Sequence, residues 1–302
     1  MESTKPFEIT PGMSVANVKL NVSSIERSLR FYRDILGFQL IGKTSDESAF
    51  LSAVGSNNKN YLLHLSKIDT TNIEVEVEPL SQKAGLYHFA ILLPSRRHLA
   101  NIFKHLTGTN QLNFEGAADH GVSESLYLKD PDSNGVEIYR DRSSSEWKRT
   151  GKFQVEMRTD NLNLRQLLEE AENQEWEMPA DTVIGHIHLQ VSDLIKSSNF
   201  YSNVLGLHHT CSFPGANFFA ADSYHHHIAI NTWSGNGIGN ADLNKLGLDH
   251  FSLNLGSKEK FDELLNQMQR MKIQMSSNDK GSNKGSIFIL DPDKIKIQIY
   301  YQ

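Results

Sequence analysis

The sequence predicts an α+β protein built from four βαβββ units, and three observations carry that prediction. Residues 15–38 (VANVKLNVSSIERSLRFYRDILGF) align without gaps to residues 184–207 (IGHIHLQVSDLIKSSNFYSNVLGL). Segments 86–106 (LYHFAILLPSRRHLANIFKHL) and 248–268 (LDHFSLNLGSKEKFDELLNQM) follow the same plan more loosely. The phrase DPDSNGVEIY at 130–139 returns as DPDKIKIQIY at 291–300. Self-similarity of this kind means one supersecondary unit copied along the chain.

Each unit opens on an apolar or alternating strand and continues into a helix with apolar residues at spacings of three and four. In the first helix Leu29, Phe31, Tyr32, Ile35 and Leu36 make that face. Gly37 and Gly206 follow the last Leu of their helices, where a left-handed cap suits glycine. Three short strands are expected after each helix. The first unit supplies SAFLSAV and NYLLHL, the second SESLYLKD and GVEIYRD, the third ANFFAAD and HHHIAINTW, the fourth SIFILD and IKIQIYY. Both DPD phrases read as turns.

The charged segment 142–182, with the helical stretch LRQLLEEAEN, reads as the joint between two domains. One domain covers 14–141, with units 14–66 and 86–141; the other covers 183–302, with units 183–233 and 247–302. Segments 66–85 and 233–247 are lesser linkers.

The 302 residues suffice for two ordinary domains with a sizeable core. The net charge of −6, with basic residues scattered, argues against nucleic acid or an anionic membrane as partner. No apolar run is long enough to span a bilayer, and the N-terminus lacks a signal-peptide pattern. The lone cysteine, Cys211, precludes a disulfide within the chain and points to the cytoplasm.

Histidines on the first strands and a glutamate closing the DPDxNGxE strand make the chain resemble the vicinal oxygen chelate superfamily. That group includes glyoxalases, extradiol dioxygenases and drug-binding resistance proteins. The resemblance covers nearly all of residues 14–301. It implies glyoxalase/bleomycin-resistance/dihydroxybiphenyl-dioxygenase-like domains, in which two units join as a curved mixed sheet cupping a divalent metal. The ligand positions it implies are Asn17, His88, His186 and His250 on first strands, with Glu137 and Gln298 on last strands. Pairing neighbouring units leaves each site one residue short of two histidines and a carboxylate. Pairing the second unit with the third assembles His88, His186 and Glu137, a complete facial set. The remainder, Asn17, His250 and Gln298, is a poor site, so the Glu copy is expected to carry the chemistry.

Further residues are similar to those of extradiol dioxygenases. The stretch YHHHIAI resembles the phrase whose second histidine acts as acid–base, which implies His226. The stretch DHGVSESLY resembles the segment whose His and Tyr hydrogen-bond the substrate, which implies His120 and Tyr127. As a strand, HHH would turn His225 and His227 to one face and His226 to the other.

Each residue also has a plainer reading. A strand histidine is more often a satisfied pocket residue than a ligand, HHH is as readily a solvated edge, and Tyr127 is as readily an ordinary strand aromatic. His188 either lines the pocket or packs across the strands, and the Phe-Tyr pairs read as core.

The expected function is Fe(II)-dependent cleavage of a catechol-like or hydroquinone-like ring by O₂, with Mn(II) as the alternative metal. Expected partners are a small aromatic diol and O₂, with self-association as a homo-oligomer left open. One alternative is a glyoxalase-like isomerase or thiol transferase using another divalent metal. Against it, the third unit's last strand offers Asn231 rather than an acidic residue. The other is a resistance-type binding protein without catalysis, which would lack the His/Glu set.

Overall fold

The computed structural model describes residues 7–9, 12–44, 47–55, 61–69, 83–109, 113–277 and 285–302. Most of the acidic linker expected over 66–85 therefore lies outside the described residues. Unit one comprises β1 (Ser14–Val22), β2 (Gln39–Thr44), β3 (Ser48–Ser52) and β4 (Leu63–Lys67). Unit two comprises β5 (Gly85–Leu92), β6 (Asn113–Asp119), β7 (Ser123–Lys129) and β8 (Gly135–Asp141). A short β9 (Asp160–Asn161) precedes unit three, which has β10 (Val183–Gln190), β11 (His208–Phe213), β12 (Ala216–Ala220) and β13 (Ile228–Asn231). Unit four holds β14 (Gly247–Asn254), β15 (Ser276–Ser277), β16 (Ser286–Leu290) and β17 (Lys296–Tyr300).

The helices are α1 (Ile25–Leu29), α2 (Arg96–Thr107), α3 (Leu164–Leu168), α4 (Leu194–Asn199) and α5 (Lys258–Arg270). Ser24, Ser95, Asp193 and Ser257 cap the four unit helices, each side chain accepting from the backbone N–H three residues on. None of the described helices is long and apolar enough to cross a membrane.

The strands form two mixed sheets. One runs β15-β16-β17-β14-β1-β4-β3-β2, the other β11-β12-β13-β10-β5-β8-β7-β6-β9. Units one and four thus share one sheet, and units two and three share the other. First strands meet antiparallel at each centre, β1 against β14 and β5 against β10, and each lies parallel to its own unit's last strand. A single large core draws on all four units.

The sequence halves do not coincide with the sheets; they are tied across them by the DPD turns. Asp130 accepts from its own turn at Asp132 N and Asn134 N, and also from the buried Tyr32 hydroxyl of unit one at 2.8 Å. Asp132 accepts from Ser23 N and Oγ at the end of the first strand. The fourth unit repeats the device on the third: Tyr201 donates to Asp291 at 3.0 Å, and Ser192 donates to Asp293. Each tyrosine lies on a widened helical turn, Arg30–Ile35 or Phe200–Val204, that continues its α-helix. Leu36 N bonds Phe31 O and Leu205 N bonds Phe200 O, five residues back. The Phe-Tyr pairs are therefore core, as their apolar spacing suggests, but their hydroxyls also clamp neighbouring units.

Gly37 and Gly206 adopt φ of 81° and 72° at these helix ends. A Cβ on Gly37 would sit 2.9 Å from Met178 N of the joint segment, and one on Gly206 would sit 2.8 Å from Ile9 N. Glycine here admits a second chain segment as well as ending the helix.

Candidate metal centre

Strands β5, β8 and β10 lie side by side, and each contributes one donor to the same point. His88 Nε2 is 2.9 Å from Glu137 Oε2, and His186 Nε2 is 3.0 Å from the same oxygen. All three donor atoms lie within 4.8 Å of one another, and all three residues are buried. Ligands at right angles on an ion with bonds of about 2.1 Å are separated by about 3.0 Å, so this donor set fits a divalent metal. Two imidazoles and one carboxylate at the cavity wall would suit a borderline divalent cation.

The close packing of these strands depends on Gly135. A Cβ there would come within 2.1 Å of the Tyr87 carbonyl and 2.9 Å of His88 Cβ. The NG of the first DPD phrase thus lets the Glu137 strand approach the His88 strand.

Burial by itself would raise the Glu137 pKa, but His186 and His88 outweigh it and hold the carboxyl well below the usual carboxylate range. Ser125 donates to its other oxygen, Oε1, at 2.6 Å. Burial pushes His186 down, with Glu137 opposing. Glu137 is thus an anion between two imidazoles, held by a second residue as metal-ligating carboxylates commonly are.

These residues open onto a cavity of about 1240 Å³, which His120, Tyr127, His188 and His226 also line. Tyr127 and His120 are hydrogen-bonded at 2.7 Å through His120 Nε2, while His120 Nδ1 meets the Arg158 carbonyl at 2.8 Å. A carbonyl only accepts, so a neutral His120 carries its proton on Nδ1 and Nε2 accepts from the tyrosine hydroxyl. Burial first, and the Glu137 charge second, push the Tyr127 hydroxyl pKa well up.

His225, His226 and His227 are not on a strand, contrary to the alternation read from the sequence, because β13 begins at Ile228. A loop frees each ring from strict alternation. His226 turns to the cavity with its ring centroid 4.1 Å from that of His186; His225 lies fully buried behind it. Burial, followed by the nearby His186 and His225, drives the His226 pKa well down. His188 does both jobs proposed for it: it lines the cavity, and its Nε2 pairs with Asn231 Nδ2 at 3.0 Å.

The other cup is built differently. Ser252 Oγ lies 2.8 Å from Asn17 Oδ1 and 2.9 Å from Gln298 Oε1, tying the two amides together. His250 pairs with the adjacent Asp249, whose carboxylate also faces Lys19 at 3.6 Å and Lys296 at 3.0 Å. Among the described residues only His88, Glu137 and His186 form a group able to hold a metal.

The sequence profile of the glyoxalase/bleomycin resistance protein/dioxygenase superfamily matches residues 14–138 and 183–299. The chain belongs to this superfamily. Within it, the chain is 40% identical over 262 residues to the catechol-2,3-dioxygenase of Bacillus subtilis (strain 168), covering 84% of this chain and 87% of that one. The fold is also shared by solved structures. Glyoxalase I from Zea mays superposes with a TM-score of 0.56 at 15% identity, covering 96% of this chain and 92% of that one. A structure from Bacillus subtilis subsp. subtilis str. 168 superposes with a TM-score of 0.65 at 12% identity, covering 97% and 86%.

Several residues of the site escaped the sequence reading. Ser125 lies two residues before Tyr127 on β7, and Asp141 lies four after Glu137 on β8, so strand period two could have found both. Tyr87 and Trp233, whose rings meet at the cavity wall with centroids 5.3 Å apart, come from distant segments with no shared motif.

Proposed function

We propose that this protein is an Fe(II)-dependent extradiol dioxygenase that opens a catechol-like or hydroquinone-like ring with O₂. The observation that carries the reading is the buried His88–Glu137–His186 set in a chain 40% identical to a catechol-2,3-dioxygenase. In it, His88, Glu137 and His186 would hold the iron, with Mn(II) able to use the same donors. The metal, when bound, supplies the centre at which the diol and O₂ meet and exchange electrons.

The protein's own groups do the rest. Glu137 supplies one negative charge to the centre and Ser125 holds its second oxygen. Burial keeps His226 neutral, so it can take the proton of a diol hydroxyl and return it later. Tyr127, anchored through His120, points a phenolic oxygen into the cavity where a substrate oxygen would sit. Tyr87, Trp233 and Phe218 line the same cavity and would offer aromatic surface to a substrate ring. Asn231 occupies the place where an isomerase reading needs an acid, and it is engaged with His188.

The test is to prepare the metal-free protein without oxygen, load Fe(II), add catechol or hydroquinone, then admit air. Oxygen uptake with a yellow ring-opened product supports the reading. A stoichiometric bound metal with no uptake on either diol refutes it.

A further inference from the structure

We propose that His225 and Asp141 are positioning residues that fix the tautomer of His226, so that its Nε2 presents a lone pair to the cavity. The inference rests on the dioxygenase reading above, in which His226 is the base. Asp141 Oδ1 lies 2.8 Å from His225 Nε2. A carboxylate only accepts, so the proton of that contact is on His225 Nε2. A neutral His225 then has an unprotonated Nδ1, which lies 2.8 Å from His226 Nδ1. His226 must donate there, so its proton sits on Nδ1 and its Nε2 is bare. Among the described residues none is hydrogen-bonded to that Nε2, and the ring lines the cavity.

Further contacts hold this chain from behind. The second oxygen of Asp141 accepts from the Tyr224 hydroxyl at 2.9 Å, and that hydroxyl meets Tyr139 at 2.9 Å. The His225 ring is wedged between Tyr224, at 4.1 Å, and Trp147, at 5.2 Å between centroids. In the opposite tautomer His226 would present an N–H to the cavity and could not accept a proton. When the diol's O–H bond breaks, the proton passes to His226 Nε2 and the electron pair stays on the substrate oxygen. His225 and Asp141 touch no substrate; they act through His226, as the carboxylate of a hydrolase triad acts through its histidine.

The test uses the full chain labelled with ¹⁵N-histidine and loaded with zinc, which is diamagnetic. Long-range ¹H–¹⁵N correlation identifies the tautomer, with the His226 signals assigned by their loss in His226→Gln. Wild type is expected to show Nδ1–H at His226, and His225→Leu to lose that preference. In the iron-loaded enzyme His225→Leu is expected to lower kcat about 100-fold or more, with KM and metal content unchanged. His225→Asn, which keeps an acceptor oxygen near the lost Nδ1, is expected to recover most of the rate. Asp141→Ala carries the same comparison if His225→Leu does not fold. An Nε2–H tautomer in wild type overturns the proposal, as does a His225→Leu or Asp141→Ala enzyme with kcat within about threefold of wild type at equal metal content. If wild type cleaves no diol, the dioxygenase reading fails, and the zinc-form spectrum still decides the positioning.

Discussion

Replacing Glu137 by Gln removes one negative charge from the centre of the donor set while preserving shape. A carboxylate charge about 3 Å from the ion, at an effective dielectric of about 20, contributes roughly 5 kcal/mol per unit of metal charge. Part of that is returned, because a glutamine oxygen still ligates weakly and burying a neutral amide costs less than burying an anion. Affinity is therefore expected to fall by about two to four orders of magnitude, more than the 10–100-fold typical of lost supporting contacts. Ser125→Ala, which removes only the 2.6 Å support to Oε1, should fall in that smaller range. The assay is competition between metal-free protein and a chelator of known affinity for Zn(II) or Fe(II). Gln298→Glu serves as the control in the other cup, where Asn17 still replaces a histidine, and should add no tight second site. Glu137→Gln binding metal within about threefold of wild type would refute the assignment of Glu137 as a ligand.

Tyr127→Phe removes the hydroxyl bonded to His120 at 2.7 Å and is expected to lower kcat on the order of tenfold while leaving metal content intact, as steady-state rates and metal analysis would show. Tyr32→Phe deletes the clamp between units one and two; with Asp130 buried, urea unfolding should show a loss of roughly 1–3 kcal/mol, and Tyr201→Phe should behave alike. His64, beside Ser48 and stacked on Phe50, has its pKa pushed from 6.5 down to about 4, by burial foremost and by Lys19 and His250. Its folded pKa lies below its unfolded one, so the stabilisation is whole above about 6.5 and is lost as pH falls toward 4; screened by the partial exposure of the ring, it is worth on the order of 1–2 kcal/mol. Urea midpoints at pH 8 and pH 5 should converge in His64→Gln relative to wild type.

The repeat pattern was legible because strand and helix periodicities are local, and each unit carries its own copy. The pairing of units across the two halves is legible by counting donors between the two pairings the family resemblance offers: neighbouring units leave Glu137 with one histidine, and the exchanged pairing gives it two. What stayed hidden depends on contacts far apart in the chain. Nothing around Tyr32 announces that its hydroxyl will meet Asp130, 98 residues away. The widened turns escaped because a helix face read at spacings of three and four gives no sign of one bond reaching five back. The place of His225 is not legible in the HHH run itself, since its meaning comes from Asp141, 84 residues earlier. The HHH run was misread as strand because its apolar continuation, IAIN, is one.

Ring opening by O₂ is expected to occur at His88, Glu137 and His186. The most direct measurement supplies the iron-loaded protein with ¹⁸O₂ and an aromatic diol and weighs the product. Wild type is expected to form a ring-opened product carrying both labelled oxygen atoms, and Glu137→Gln to form none. An unlabelled product, or equal labelling by the two proteins, would contradict it.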